Sequence, residues 1–266
     1  MISPRAQRTA ASRLCLALSL LLACWLALPS QASSSSTPPK ASTGSPASMS
    51  YETGLAEFRS GNYMAAYKDL SAAAKGGDAN AQQLLGHMYY MGTGVAQDFA
   101  QALAWHRKAA AQGLAESQYV IGTMYYSGKS VALDYREALQ WFRKAGEHGH
   151  SDAQYMLGAM YFTGKGIPQD YKSSVAWFQR AAEQGHAEAQ RLLGLLHMHG
   201  VGGVPQDNVI AYMLWNLSAA TGNAEAQNLR DEAAHDMSEA QIAEGQALSS
   251  KWQVNTPLPT RSASGS

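Results

Sequence analysis

Cysteine is almost absent from this sequence. The 266 residues include two, Cys15 and Cys24, and both lie in the first 24 positions. With cleavage after Ala32 the mature protein would have no thiol, which excludes disulfide bonds, thiolate metal sites and cysteine nucleophiles. The patterns G-x-S-x-G, S-x-x-K and H-E-x-x-H, which mark serine and zinc hydrolases, are missing as well. We therefore expect no enzyme activity, no cofactor and no metal.

An excess of basic residues is also missing. The chain has 20 Lys and Arg against 20 Asp and Glu. Residues 1–32 contain three of the 20 basic residues and none of the 20 acidic ones, so the mature chain has a net charge of −3. Without a basic stripe that could neutralise phosphates, nucleic acid is not expected as a partner.

The N-terminus has the features of a secretory signal peptide at residues 1–32. Three arginines precede the apolar run from Leu14 to Leu28, and Ser30-Gln31-Ala32 places small residues where signal peptidase reads them. We expect cleavage after Ala32 and a periplasmic or secreted mature protein. An uncleaved anchor is disfavoured because the run is short for a membrane span of about 20 residues, and nothing later is apolar enough to cross a bilayer. Lipidation at Cys24 is an alternative, disfavoured because residues 25–28 stay apolar.

Two segments have little apolar content. Residues 33–50 are rich in Ser, Thr, Pro and Ala, and residues 253–266 are similar in character. Such segments cannot bury enough apolar surface to offset the entropy of ordering. We predict a disordered linker at 33–50 and a disordered tail at 253–266.

The chain between them repeats itself every 36 residues. The units are 77–112, 113–148, 149–184 and 185–221, the last with one extra residue in its Gly202-Gly203 loop. One column of small residues, interpreted as points of close helix contact, holds Gly86, Gly122, Gly158 and Gly194. Each unit predicts two helices, the first ending near a glycine such as Gly92. The second begins after a capping aspartate, namely Asp98, Asp134, Asp170 or Asp207. Repeats of this length indicate stacked units that share a concave surface.

The columns of the repeat resemble those of a known family. The pattern A-x-x-x-L-G-x-M-Y-x-x-G-x-G-V-x-Q-D-Y-x-x-A-x-x-W-x-x-x-A-A-x-x-G is similar to the SEL-one-like repeat, a relative of the tetratricopeptide repeat. The resemblance implies an all-α fold, a right-handed α/α superhelical solenoid of about six helix hairpins, and adaptor or scaffold work. Residues 51–76 resemble a divergent first hairpin and residues 222–252 a C-terminal capping hairpin. Departures from the pattern are Ser130, His197 and Leu214.

By analogy with tetratricopeptide units, whose first helices line the inner surface, four columns are projected onto a groove. Two of them carry aromatic rings, the side chains that most often anchor interfaces. The candidate partner-binding residues are Tyr90, Glu116, Tyr119, Tyr126, Asp152, Tyr155, Phe162, Glu188 and Arg191. The alternative for the column of Tyr90, Tyr126 and Phe162 is that its rings pack between hairpins. The favoured hypothesis is an exported adaptor that binds a protein or peptide in this groove.

Other chemistry was weighed against this hypothesis. The segment Gly122–Ser130 resembles a phosphate-binding loop, but it has five residues between its glycines instead of four and recurs in neighbouring units. The histidines at 148, 150, 197 and 199 lack a carboxylate or thiol that would complete a metal shell, so solvated or helix-end roles are expected. The second hypothesis for function is a cell-envelope hydrolase or a peptidoglycan-binding protein of the same family. Exported relatives linked to β-lactam hydrolysis have cysteines that this chain lacks.

Overall fold

A computed structural model describes residues 46–261. The predicted signal peptide, the greater part of the predicted linker and residues 262–266 of the predicted tail lie outside the described residues. Within the described range there are twelve helices and no strand, so the expected all-α class is confirmed.

The helices follow one another as hairpins, each made of a first and a second helix. In chain order they are α1 Pro46–Arg59, α2 Tyr63–Lys75, α3 Ala79–Met91, α4 Phe99–Ala111, α5 Ala115–Ser127, α6 Tyr135–Glu147, α7 Ser151–Thr163, α8 Tyr171–Glu183, α9 Ala187–His199, α10 Asn208–Ala220, α11 Ala224–His235 and α12 Glu239–Lys251. The described residues form two compact units, an N-terminal unit of residues 46–153 and a C-terminal unit of residues 154–261.

The helix ends are set by the predicted capping residues. Asp98 accepts from the amides of Ala100 and Gln101 at 2.9 and 3.0 Å, and the same geometry recurs at Asp134, Asp170 and Asp207. First helices end at glycines with left-handed backbone, such as Gly92 at φ 72°. Residues with a Cβ rarely adopt this conformation, so each unit breaks its helix at the same point.

The glycine column gives room to a ring from the second helix of the same hairpin. A Cβ added at Gly122 would lie 2.7 Å from the ring of Phe142, and one added at Gly158 would lie 2.6 Å from the ring of Phe178. Trp215 occupies the same slot opposite Gly194. The prediction that these glycines mark close helix contact is confirmed.

The tryptophans of α4, α6 and α8 lie one position before this slot, and those of α4 and α6 pack against a core of the preceding hairpin. Trp105 contacts the core that contains Leu70 and Leu85, and Trp141 contacts the core that contains Leu103. A cation three residues later covers each ring: Lys108 lies 3.8 Å from the centroid of Trp105. Successive hairpins of the N-terminal unit therefore interlock through these rings.

Both segments predicted to be disordered contain ordered residues. Helix α1 begins at Pro46, inside the predicted linker 33–50, because proline suits a first helical turn and Tyr51 packs on the first core. In the predicted tail 253–266, the amide of Asn255 donates to the carbonyl of Glu183 at 2.7 Å, and Arg261 forms ion pairs with Asp207 and Glu244. The structure thus gives residues 46–50 a helical backbone and residues 253–261 contacts with neighbouring helices, where the composition predicts disorder.

Among residues 46–261, no helix combines the length and apolar character that a membrane span requires.

Candidate partner-binding face

In the N-terminal unit, Tyr119, His150 and Glu116 form one contact group. Tyr119 and His150 stack with ring centroids 4.6 Å apart and planes 19° from parallel. Nδ1 of His150 accepts from the amide of Ala153, so its proton is on Nε2, which donates to a carboxylate oxygen of Glu116 at 2.9 Å. The group joins α5 to the first turn of α7 and leaves 40% of the Glu116 side chain exposed.

Tyr90 lies at the end of α3 and is partly exposed. Its ring packs edge-on against Phe99 with centroids 5.3 Å apart, and its hydroxyl accepts from Nζ of Lys129 at 3.2 Å. Tyr126, one repeat later, is 8% exposed and contacts the rings of Tyr135 and Phe142. The two members of this column therefore differ, and Tyr126 offers little surface to a partner.

Two histidines lie near Glu116, the carboxylate of the Tyr119–His150–Glu116 contact group, and differ in burial. His87 is exposed on α3, whereas His106 on α4 is buried in the ring slot opposite Gly86. Nδ1 of His106 contacts Oγ of Ser117 at 3.2 Å, and its Nε2 has no hydrogen-bond partner. Burial, reinforced by the charge of His87 and opposed by Glu116, lowers the pKa of His106 to about 4. His106 is therefore neutral at physiological pH.

In the C-terminal unit, two predicted aromatic residues make mostly internal contacts. Tyr155 stacks on His186 with centroids 4.8 Å apart and also contacts Phe178. Phe162 is 2% exposed and packs on Tyr171 at 5.2 Å. Phe162 therefore packs on a ring from the second helix of its own hairpin and offers little surface to a partner.

Arg191 and Glu188 form a closed ionic network in the C-terminal unit. Nε and Nη2 of Arg191 donate to one oxygen of Glu188 at 3.0 and 2.8 Å, and Glu225 lies 3.4 Å from Nη1. The amide of the Asn223 side chain donates to the other oxygen of Glu188. Arg191 is 3% exposed, so this predicted groove residue is mainly engaged by its own chain. Asp152, in the same column as Glu188, lies partly buried at the start of α7 in the N-terminal unit.

A glutamine column in the first helices was not identified from the sequence. In the N-terminal unit, Nε2 of Gln118 donates to the carbonyl of Ala110, and its Oε1 contacts Nδ1 of His148 at 2.9 Å. Gln82 is bonded in the same way, to the carbonyl of Ala74 and to Gln112. In the C-terminal unit, Oε1 of Gln190 has no hydrogen-bond partner. The signal in the sequence that indicates this column is a 36-residue spacing of glutamines, at Gln82, Gln118, Gln154 and Gln190.

The histidines at 148 and 150 and the segment Gly122–Ser130 make contacts within the N-terminal unit. His148 contacts Gln118, and His150 contacts Glu116, so the two histidines do not converge. Residues 46–261 contain no group of three His, Cys, Asp or Glu side chains that could hold a metal ion. In the loop-like segment, Gly122 is helical and Gly128 is the left-handed cap of α5, so the segment is a helix end.

Comparisons with known proteins agree with this architecture. The Sel1 repeat model matches residues 79–114, 115–150, 151–186 and 187–223. None of the curated proteins matches the sequence.

Two solved structures are similar to most of this chain. The protein c5321, a protective antigen of uropathogenic Escherichia coli with an SLR fold, is 31% identical over 77% of this chain, with a TM-score of 0.69. The match spans 46% of c5321, so this chain covers about half of its length. A Sel1 repeat protein from Oxalobacter formigenes is 28% identical, with a TM-score of 0.65, over 78% of this chain and 88% of its own. Because the four repeats occupy more than half of the residues, the chain belongs to the Sel1 repeat family.

Proposed function

We propose that this protein is an exported adaptor that binds a protein or peptide segment on the first-helix face of its N-terminal unit. Sel1 repeats are generally protein-interaction scaffolds without catalysis of their own. The observation that carries the proposal is a set of three partly exposed side chains on successive first helices: Glu116 and Tyr119 near the start of α5, which both contact His150, and Tyr90 at the end of α3. Each of the three is held by a contact within the unit, so little side-chain entropy is lost on binding.

The chemistry of this face indicates the kind of segment that it would accept. Tyr90 and Tyr119 offer ring surface, and the carboxylate of Glu116 remains 40% exposed after its bond to His150. The ring of Tyr119 and the carboxylate of Glu116, which both contact His150, suit a segment with an apolar side chain and a basic group. Lys129, which is exposed beside Tyr90, would disfavour a second basic group there.

The proposal includes the compartment predicted from the sequence. An N-terminal signal peptide cleaved near Ala32 would deliver the mature chain to the periplasm or beyond the cell. N-terminal sequencing of the exported protein tests this. A mature terminus at residue 33 is expected, and a chain that begins at a lipidated Cys24 would contradict it.

Site-specific photo-crosslinking in the native envelope tests the face. A photoreactive phenylalanine at His87, which is exposed on α3, is expected to capture one partner, and the same residue at Gln140 on α6 should capture none. Tyr119→Ala should reduce capture at least tenfold, because aromatic anchors commonly contribute 2 kcal/mol or more, about 30-fold in affinity. Equal capture from positions 87 and 140, with both chains folded, would contradict the proposal.

The hydrolase or peptidoglycan-binding alternative is separated by a second measurement. Purified mature protein is incubated with β-lactam reporters and with cell-wall fragments. Neither turnover nor retention is expected. Turnover that survives Tyr119→Ala would place function elsewhere in the chain and overturn the adaptor proposal.

A further inference from the structure

The C-terminal segment 252–261, here termed the strap, lies across three helices of the C-terminal unit. Its main chain is held at two points: the amide of Asn255 donates to the carbonyl of Glu183 at 2.7 Å, and the amide of Leu258 donates to the carboxylate of Glu183 at 3.3 Å. Glu183 is the last residue of α8, so its carbonyl has no partner within the helix. The strap therefore satisfies an acceptor that the helix leaves open.

The end of the strap is held by charge. Nε and Nη2 of Arg261 donate to the two oxygens of Glu244 on α12 at 2.8 and 3.1 Å, and Nη1 donates to Asp207 at 2.8 Å. Asp207 is the capping residue of α10 and is fixed by the amides of Val209 and Ile210. Two carboxylates from different elements thus form a forked acceptor that matches the planar guanidinium of arginine.

The strap does not fill the surface that it covers. An open groove of about 350 Å³ lies beside Thr256 and Pro257, lined on the helical side by Gln154, Arg180 and Gln184. Val254 and Pro257 are exposed. Partly exposed ion pairs contribute little in water, and holding a non-helical segment in one conformation costs conformational entropy. Local opening of the strap is therefore expected to be easier than unfolding of the helices beneath it.

We propose that this surface is a second peptide-binding site, which takes a proline-containing segment with an arginine from a partner protein. The chain's own segment, with Pro257, Pro259 and Arg261, occupies it as an intramolecular competitor. The recognition elements are the open carbonyl of Glu183 and the carboxylates of Asp207 and Glu244. This site uses none of the residues of the first-helix face of the N-terminal unit.

The test uses the full mature chain and a fluorescent peptide with the sequence of residues 253–261. In the wild type, the tethered strap acts at an effective concentration of millimolar order, so the free peptide binds weakly. A released variant carries Asn255→Pro, which removes the amide donor, and Arg261→Ala. It is expected to bind the peptide about tenfold more tightly than the wild type does. A matched control is Arg230→Ala, which removes an arginine bound to Asp231 and Asn216 instead of to Glu183, Asp207 or Glu244, and should leave peptide binding at the wild-type level.

Two further arms examine the recognition chemistry. Replacing the arginine of the peptide by alanine, or adding Glu244→Gln to the released variant, is expected to weaken binding about tenfold through loss of the charge-assisted bonds. Circular dichroism confirms that each variant is folded. The proposal is overturned if the folded released variant binds the peptide no better than the wild type, or if the alanine peptide binds equally well. Tyr119→Ala should leave this binding unchanged, so the two proposals fail independently.

Discussion

The N-terminal and C-terminal units use the same acidic column for the same structural task but leave different amounts of it exposed. Glu116 holds His150, which caps α7, and Glu188 holds Asn223, which caps α11. The Glu116 side chain stays 40% exposed, whereas that of Glu188 is 14% exposed because Arg191 also binds it. One column can therefore support both packing and binding, and the neighbouring side chains decide which of the two it serves.

The largest expected difference between the units is the cost of removing this carboxylate. Glu188→Ala leaves the buried guanidinium of Arg191 without its main partner and should reduce the free energy of unfolding by about 3 kcal/mol. Glu116→Ala, in the other unit, should cost about 1 kcal/mol or less because its carboxylate is partly solvated. Urea unfolding followed by circular dichroism measures both. Equal losses would show that the C-terminal network is not closed as described.

Acid should act on the N-terminal unit through His106. The pKa of this residue is lowered to about 4 by burial, whereas an unfolded histidine titrates near 6.5. The native state therefore binds fewer protons, and stability that is complete above pH 6.5 is lost progressively as the pH falls toward 4. The loss from this residue is about 3 kcal/mol.

A double substitution isolates that effect. His106→Phe with Ser117→Ala restores the ring and the small residue found in equivalent positions, such as Phe142 and Ala153. Chemical unfolding at pH 7 and pH 4.5 should show a smaller acid loss than in the wild type. Burial also lowers the pKa of His197 and of His199 in the C-terminal unit, and their acid response should persist in the variant. An unchanged pH profile would contradict the assignment.

The glutamine column offers a comparison of intermediate size. Gln118→Leu deprives the carbonyl of Ala110 and the ring of His148 of their partner and should cost about 2 kcal/mol. Gln190→Leu removes one hydrogen bond, from Nε2 of Gln190 to the carbonyl of Ala182, and also removes Oε1 of Gln190, which has no partner. The free energy of unfolding should therefore fall by about 1 kcal/mol. Thermal unfolding of the two variants in parallel tests the order, and a larger loss for Gln190→Leu would reverse the interpretation.

The smallest expected effect concerns one loop position. Ser130 has φ 67°, a left-handed conformation, where Gly166 in the other unit has φ 73°. Ser130→Gly should stabilise the chain by about 0.5 kcal/mol, and Gly166→Ser should destabilise it by about 1 kcal/mol, because a Cβ is strained there. Differential scanning calorimetry of both variants measures the pair of shifts. Shifts of the same sign would contradict the argument.

Local rules made the fold predictable from the sequence. The capping aspartates, the left-handed glycines and the small residues at helix contacts each act within one repeat or between adjacent helices. The binding face was less predictable because burial depends on side chains from other helices. Arg191 was expected to line a groove, but Glu225, from a later helix, joins Glu188 in enclosing its charge.

The C-terminal segment 253–261 shows more clearly that contacts with distant parts of the chain are hard to predict from the sequence. Its composition indicates disorder, yet Arg261 pairs with Asp207, 54 positions earlier in the chain. Composition carries no information about such long-range pairs. His106 and Ser117 differ from Phe142 and Ala153, which stand in the same columns one repeat later, and the sequence analysis did not pair the two exceptions that the structure brings into contact.

The contact between His106 and Ser117 has a consequence for how such arrays can be rebuilt. His106 belongs to the repeat 79–114 and Ser117 to the repeat 115–150. If the repeat 79–114 were placed before a repeat with alanine at the Ser117 position, the buried imidazole of His106 would lose its hydrogen bond to Oγ of Ser117. If a repeat with phenylalanine at the His106 position were placed before Ser117, the hydroxyl of Ser117 would lose its contact with the imidazole. The two repeats are thus matched at their junction, so their order along the chain is not freely exchangeable.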